Sequence, residues 1–600
     1  MAQTLVQVVW HGDVVVVGLD APPANVLGPD LRRALLDALG LSPRPRGMVI
    51  TATGLPFSGA LPLDGETAAP RLDDLCMALV TAPFAIVAVV AGVALGPGCA
   101  VALAADRILA TPEARFSLPE IALGLVAGGG ATQLLPRKIG ARAALDMLLS
   151  GRVVAAEEAA RMGLVDRIVA HDIIAAAVTL ARDLGQGPRA PRSDEGLAGE
   201  GYAASIATAR AAQYLDALPA TGVIIDAVEA AQLLPLAQGV TFETTLRADL
   251  WQSDEVLALR AAADAARIAR RMPKSIAGVP AAPVTHLYLE GASPEFPTLA
   301  YAALRAGLHV TLSEADRTRL SEMLTTIADR QDAGVAEGSL GLAARDADWA
   351  RLTTATPQGL LPDGMDAVIF AASAAERAGD TALPIAPNVP RLVIGGAPGA
   401  LALTLTPSGR ITTLSGGGAS PAVAAARALM ARIGLAAVIV GAEMPNPGTA
   451  IAKAGETALA RLVARGVRED ALSAALRSVQ AVMPPLPPFR FDPRVNGGQP
   501  LAMPRAEIIA RWWSAMAAAG LDCLASGAAL CPADIDHLMV AGHGFPRRLG
   551  GPMYQASRRG LLLLRQDLRH WARDDRIWAC PPMLDRLISD GRSLAQLNPA

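Results

Sequence analysis

The chain has 600 residues and a net charge of −3, so its length implies several domains and its charge supplies no basic footprint for nucleic acid. Hydrophobic residues make up 52%, charged residues 18% and aromatics only 4%, so the cores are expected to be built of Ala, Leu and Val. Five scattered cysteines (Cys76, Cys99, Cys523, Cys531 and Cys580) lack metal-ligand spacing and read as reduced thiols in a cytoplasmic protein with no metal site.

The N-terminus, Met-Ala-Gln-Thr-Leu-Val, reads as free of a signal peptide, and the C-terminal Leu-Asn-Pro-Ala is not a peroxisomal address. Val14–Leu19, Gly47–Thr51 and Ile86–Val90 read as strands, and Leu31–Leu39 and Leu145–Leu149 as helix. This suits an α/β layer with buried parallel strands. Residues 77–105 carry no charged side chain, long enough for a membrane span. Pro83, Pro97 and the glycines at 92, 96 and 98 interrupt that run, so a buried strand, a tight turn and a buried helix are expected and no membrane.

Residues 186–202 read as a polar surface connection and 203–275 as helices ending in Asp254–Arg271. A βαβ-type opening follows: strand Thr285–Leu289, turn Gly291, helix Thr298–Ala306 and strand His309–Leu312, with a further strand at Asp366–Ala371. The Pro-rich stretch 484–500 reads as a linker, and 503–600 as helices broken by a Gly/Pro loop at 541–552.

Several motifs occur in order between Val14 and Val169. They are Phe57-Ser58-Gly59-Ala60-Leu61, the run Gly92–Asp106, Phe116–Gly124 with Pro119-Glu120, and Gly128–Arg137. Together they resemble the crotonase (enoyl-CoA hydratase/isomerase) family. The resemblance implies an acyl-CoA thioester substrate, Ala60 N–H as one oxyanion donor, and Glu120 as the retained catalytic carboxylate. Where that family reads Gly-Gly-Gly-x-Glu, this chain reads Gly96-Pro97-Gly98-Cys99-Ala100. Ala100 thus replaces one of a hydratase's two glutamates, and Pro97 has no N–H to offer as the second oxyanion donor. Gly98 is the candidate substitute. Losing a carboxylate from acid–base chemistry costs about 10²–10⁴-fold. One carboxylate still suffices to shuttle a proton between C2 and C4, so a Δ3,Δ2-enoyl-CoA isomerase is expected.

Residues 283–600 resemble 3-hydroxyacyl-CoA dehydrogenases, as fused in multifunctional fatty-acid β-oxidation enzymes. The resemblance rests on Ala533–Asp536, Gly542-His543-Gly544-Phe545-Pro546, Gly550-Gly551-Pro552 and Pro581–Leu584. The dinucleotide fingerprint is degenerate: its glycine positions hold Gly291, Ser293 and Phe296, with Glu314 at the ribose position. Under that resemblance the catalytic histidine and its glutamate partner become Leu403 and Ser415, and the family's Asn-Arg becomes Thr449-Ala450. An impaired dehydrogenase without NAD is expected, and no other certain cofactor.

The expected fold is therefore α/β multidomain: a crotonase ββα spiral (1–185), a helical linker (186–280), a Rossmann-like domain (281–440) and all-α dehydrogenase-type C-domains (441–490 and 491–600). A monomer acting on acyl-CoA is expected. Two other readings stay open, a catalytically silent acyl-CoA-binding scaffold and another thioester reaction with Asp64 or Glu66 beside the first oxyanion loop.

Overall fold

The computed structural model describes residues 5–599, apart from 55, 60–67, 187–193, 200, 213–217, 272–282, 338–339, 358–363, 375–388, 396–400, 417–419, 442–445, 483 and 485–500. It divides into residues 1–260 and 261–600, with the boundary inside helix Asp254–Ala269. No helix among the described residues is long and apolar enough to cross a membrane.

In the first unit the valine-rich runs form strands, because β-branched side chains pack well on a pleated surface. The strands are β1 (Val6–His11), β2 (Val14–Leu19), β3 (Gly47–Ala52), β4 (Ala85–Val90), β5 (Val93–Leu95), β6 (Arg107–Ala110), β7 (Arg115–Ser117), β8 (Val154–Ala155) and β9 (Arg167–Ile168). Six of them make a sheet in the order β1-β2-β3-β4-β6-β9, parallel except at the β1–β2 pair. One face buries Val14, Val49, Val87 and Leu109 against Ala177 and Ala181 of helix Ile173–Leu184. The uncharged run at 77–105 resolves into the end of helix Leu72–Thr81, β4, β5 and the fully buried helix Pro97–Ala104. A second, small sheet has the order β5-β7-β8. Helix Ala131–Ser150, kinked at Gly140, packs against helices Gly201–Ala211, Pro219–Leu233 and Leu236–Trp251.

The second unit is built on β10 (His286–Glu290), β11 (His309–Ser313), β12 (Leu352–Ala355), β13 (Ala367–Phe370), β14 (Arg391–Ile394), β15 (Leu401–Leu405), β16 (Ile411–Ser415) and β17 (Ala436–Val440). The order is β12-β11-β10-β13-β14-β15-β16-β17, parallel except between β15 and β16. Its first six strands follow the 3-2-1-4-5-6 order of doubly wound dinucleotide-binding sheets. The helix after β10 starts at Phe296, two residues before the expected Thr298, because Pro297 suits the first turn of a helix.

The C-terminal helices bury Trp512, Met516, Leu564 and Trp578 in one core. Within the expected Gly/Pro loop, Gly551 has φ +126, and a Cβ there would lie 2.3 Å from the Asp536 carboxyl carbon. That carboxylate accepts the N–H groups of Met553 (2.7 Å) and Tyr554 (3.0 Å) at the start of helix Pro552–Arg559. The Gly-Gly-Pro motif is thus the seat of a buried side-chain cap. Of the expected linker at 484–500, residues 485–500 lie outside the described residues.

Candidate active site

The small sheet assembles the site. Ser58 bridges Ala94: its N–H donates to the Val93 carbonyl (3.0 Å) and its carbonyl accepts the Leu95 N–H (2.8 Å). On the other side of β5, the Gly96 N–H donates to the carbonyl of Ser117 on β7 (2.8 Å). Ser58, in the loop expected to supply the first oxyanion donor, and Ser117, ahead of Glu120, therefore flank the entry of helix Pro97–Ala104. Gly96 makes that entry at φ 51, ψ −112, and Pro97 takes the first helical position. The first N–H groups the helix can offer are then those of Gly98 and Cys99, because proline supplies none.

Gly98 allows a close approach. A Cβ there would lie 2.5 Å from Ser58 Cβ. Ala100 is fully buried, and a Cβ on Gly129 would lie 3.0 Å from its methyl group and 2.9 Å from Cys76 Sγ. Glu120 sits in the 3-10 turn Pro119–Leu123, 4% exposed, with its carbonyl accepting the Leu125 N–H at 3.1 Å. Burial, and then the negative charge of Glu120, hold the Cys99 thiol well above its usual range. The carboxylate therefore acts on the helix that carries Ala100, and Cys99 is no thiolate nucleophile at neutral pH. Ala60, Asp64 and Glu66 lie outside the described residues.

A second layer behind this site escaped the sequence reading. Glu243, fully buried on helix Leu236–Trp251, accepts the N–H groups of Gly130 and Thr132 (both 2.8 Å) and the Thr132 hydroxyl (2.6 Å). Asp73 accepts the Gly129 N–H (2.9 Å) and the Thr244 hydroxyl (2.9 Å), and pairs with Arg71 (3.1 Å) and Arg247 (3.6 Å). A Cβ on Gly128 would fall 1.4 Å from the Arg247 guanidinium. These groups cap helix Ala131–Ser150 and fix the Gly128–Gly130 turn against Ala100. Burial and the charge of Asp73 push Glu243 up to about 7. No local signal announced the cluster, because Asp73 and Glu243 stand 170 residues apart and neither lies in a motif.

In the second unit, Gly291 turns at φ +90 and its N–H donates to the Ser313 carbonyl (2.8 Å). Glu314 follows β11, and its carboxylate accepts the Asp316 N–H (2.9 Å) ahead of helix Arg317–Ala336. Both therefore stand at the strand ends expected for a nucleotide site. The residues around them do not fit a dinucleotide. Phe296, fully buried in the core, fills the position where glycine would let helix and pyrophosphate approach. Glu295 stands at the N-cap of helix Phe296–Arg305 and accepts the Ser293 hydroxyl, so a carboxylate occupies the helix N-terminus that a pyrophosphate would use. Leu403 is fully buried and pairs with Leu414 across β15–β16, while Ser415 pairs with Ala402. Strand alternation puts Leu403 and Ser415 on opposite faces, so they make no dyad.

Residues 11–192 match the family described as enoyl-CoA hydratase/isomerase. The chain is 28% identical over 341 residues to the peroxisomal bifunctional enzyme of Pongo abelii, covering 54% of this chain and 47% of that relative. It is 32% identical over 276 residues to the peroxisomal bifunctional enzyme of Danio rerio, covering 43% and 37%. The chain thus spans about half, or less, of the length of the curated relatives it matches. A solved enoyl-CoA hydratase/isomerase from Pseudoalteromonas atlantica T6c is 25% identical, with a TM-score of 0.33, covering 45% of this chain and 98% of that one. Residues 11–192 are a crotonase-type enoyl-CoA hydratase/isomerase domain, carried in one chain with a Rossmann-like sheet and a helical C-terminal region.

Proposed function

We propose that the first unit is a Δ3,Δ2-enoyl-CoA isomerase of fatty-acid β-oxidation, and that the dehydrogenase-like half is impaired. The observation that carries this reading is a buried Glu120 facing a helix whose other carboxylate position holds Ala100. Glu120 takes a proton from C2 of a 3-enoyl thioester. The electron pair moves onto the thioester oxygen, where N–H groups of Ala60 and Gly98 receive it. Glu120 then returns the proton at C4, so the C3–C4 double bond is lost and a C2–C3 double bond forms. No water and no cofactor enter. A hydratase needs a second carboxylate to position water, and Ala100 supplies none.

The assay follows trans-3-enoyl-CoA conversion by the wild type and Glu120→Gln. A loss of roughly 10²–10⁴-fold in the variant is expected; equal rates would end the proposal. Pro97 and Ala100 also favour a second reading, an acyl-CoA-binding scaffold without turnover. Tight acyl-CoA binding with no conversion of any enoyl-CoA by the wild type would select it. The cytoplasmic setting belongs to the proposal and is supported by the five free thiols.

A further inference from the structure

We infer that the Ser58 hydroxyl donates the hydrogen bond to the thioester oxygen that Pro97 cannot. The inference rests on the acyl-CoA reading above. Ser58 is fully buried, yet its Oγ has no hydrogen-bond partner among the described residues. Buried hydroxyls nearly always find one, so an orphan asks for a function. Its position points to one. The Ser58 backbone is locked on both sides to β5, directly before the Gly96–Gly98 turn. Its side chain lies under the first turn of helix Pro97–Ala104: a Cβ built on Gly98 would be 3.1 Å from Oγ and 2.5 Å from Ser58 Cβ. The hydroxyl that lacks an acceptor thus stands beside the one position of that turn, Pro97, that has no N–H, and adds to the donors of Ala60 and Gly98.

The serine O–H proton rotates about the Cβ–Oγ bond, so it can turn toward charge as that charge forms. An acceptor that strengthens only when the dienolate develops raises turnover more than it tightens substrate binding. Ser58 would then be a catalytic residue, in hydrogen-bond reach of the reacting oxygen.

Two readouts test this on the 600-residue chain. The first is isomerisation of trans-3-hexenoyl-CoA by Ser58→Ala, Pro97→Gly and the double variant. Ser58→Ala should lower kcat by roughly 10²–10³-fold with little change in KM. In the Pro97→Gly background, where a backbone N–H is restored, the same substitution should cost about tenfold or less, because the donors substitute for each other. The second is the absorbance of bound 2,4-hexadienoyl-CoA, which shifts to longer wavelength when its carbonyl is polarised. Ser58→Ala should shrink the shift, and adding Pro97→Gly should recover it. Equal kcat losses in both backgrounds, or an unchanged shift in Ser58→Ala, would overturn the inference. A wild type that shifts the probe but isomerises nothing would refute the isomerase reading alone, and the shift would still decide the role of Ser58. A wild type that binds no hexadienoyl-CoA would overturn both.

Discussion

The buried carboxylate of Glu243 makes the stability of the first unit depend on pH in a direction that can be checked. Burial and the charge of Asp73 raise it from the usual 4.5 to about 7, against the three donors from Gly130 and Thr132 that favour the ionised form. The folded state therefore holds its proton where the unfolded chain has released it. Stability from this group is complete below about pH 4.5 and is lost as pH rises through about 7. At about 1.4 kcal/mol per pH unit for one proton, the loss between those limits is roughly 3 kcal/mol. Glu243→Gln removes the titration and should flatten that part of the profile. Because a chain of several domains need not unfold in one step, the measurement is urea-dependent hydrogen–deuterium exchange of the segment 128–150, between pH 5 and 8. Subtracting the variant from the wild type isolates Glu243. Parallel profiles would refute the reasoning, as would a wild type that gains stability relative to the variant as pH rises.

Gly98→Ala drives a methyl group into Ser58. It should cost about 1–3 kcal/mol in unfolding of the first unit and reduce isomerisation in the same preparation. Phe296→Ala empties a fully buried site, so thermal unfolding of the second unit should weaken by about 3–5 kcal/mol, and calorimetry should still detect no NAD binding. Cys99 is 1% exposed and its thiol is held high, so iodoacetamide at pH 8 should leave it unmodified in the native chain by mass spectrometry. The half-buried Cys580, whose thiolate is favoured by Arg569 and Arg565, should react before the half-buried Cys523, whose thiol burial and Asp522 push up to about 11.

The strands were legible because they depend on local chemistry: Val14–Leu19 and Ile86–Val90 are β-branched runs bounded by turns. The helix entry at Gly96–Gly98 was legible as a motif, and with it the loss of a donor at Pro97. The role of Ser58 was not, although it stood inside a quoted motif. Its meaning comes from the bridge to Ala94 and the contact with Gly98, which only folding creates. The same holds for Asp73, Glu243 and Arg247, whose meeting is set by how helix Leu236–Trp251 packs. Leu403 and Ser415 teach a related point. The family resemblance implied a lost dyad, and sheet register adds that the two side chains face opposite ways. Gly551 shows the reverse case, since its motif was visible and the Asp536 carboxylate gives the physical reason for it.

The partition between two reactions on the wild-type chain tests the central claim most directly. Trans-3-hexenoyl-CoA isomerisation and trans-2-hexenoyl-CoA hydration should be measured side by side in one preparation. A single working carboxylate predicts isomerisation faster than hydration by at least roughly 10²-fold. Hydration as fast as isomerisation would contradict it, because a second acid–base group would then have to replace what Ala100 lacks.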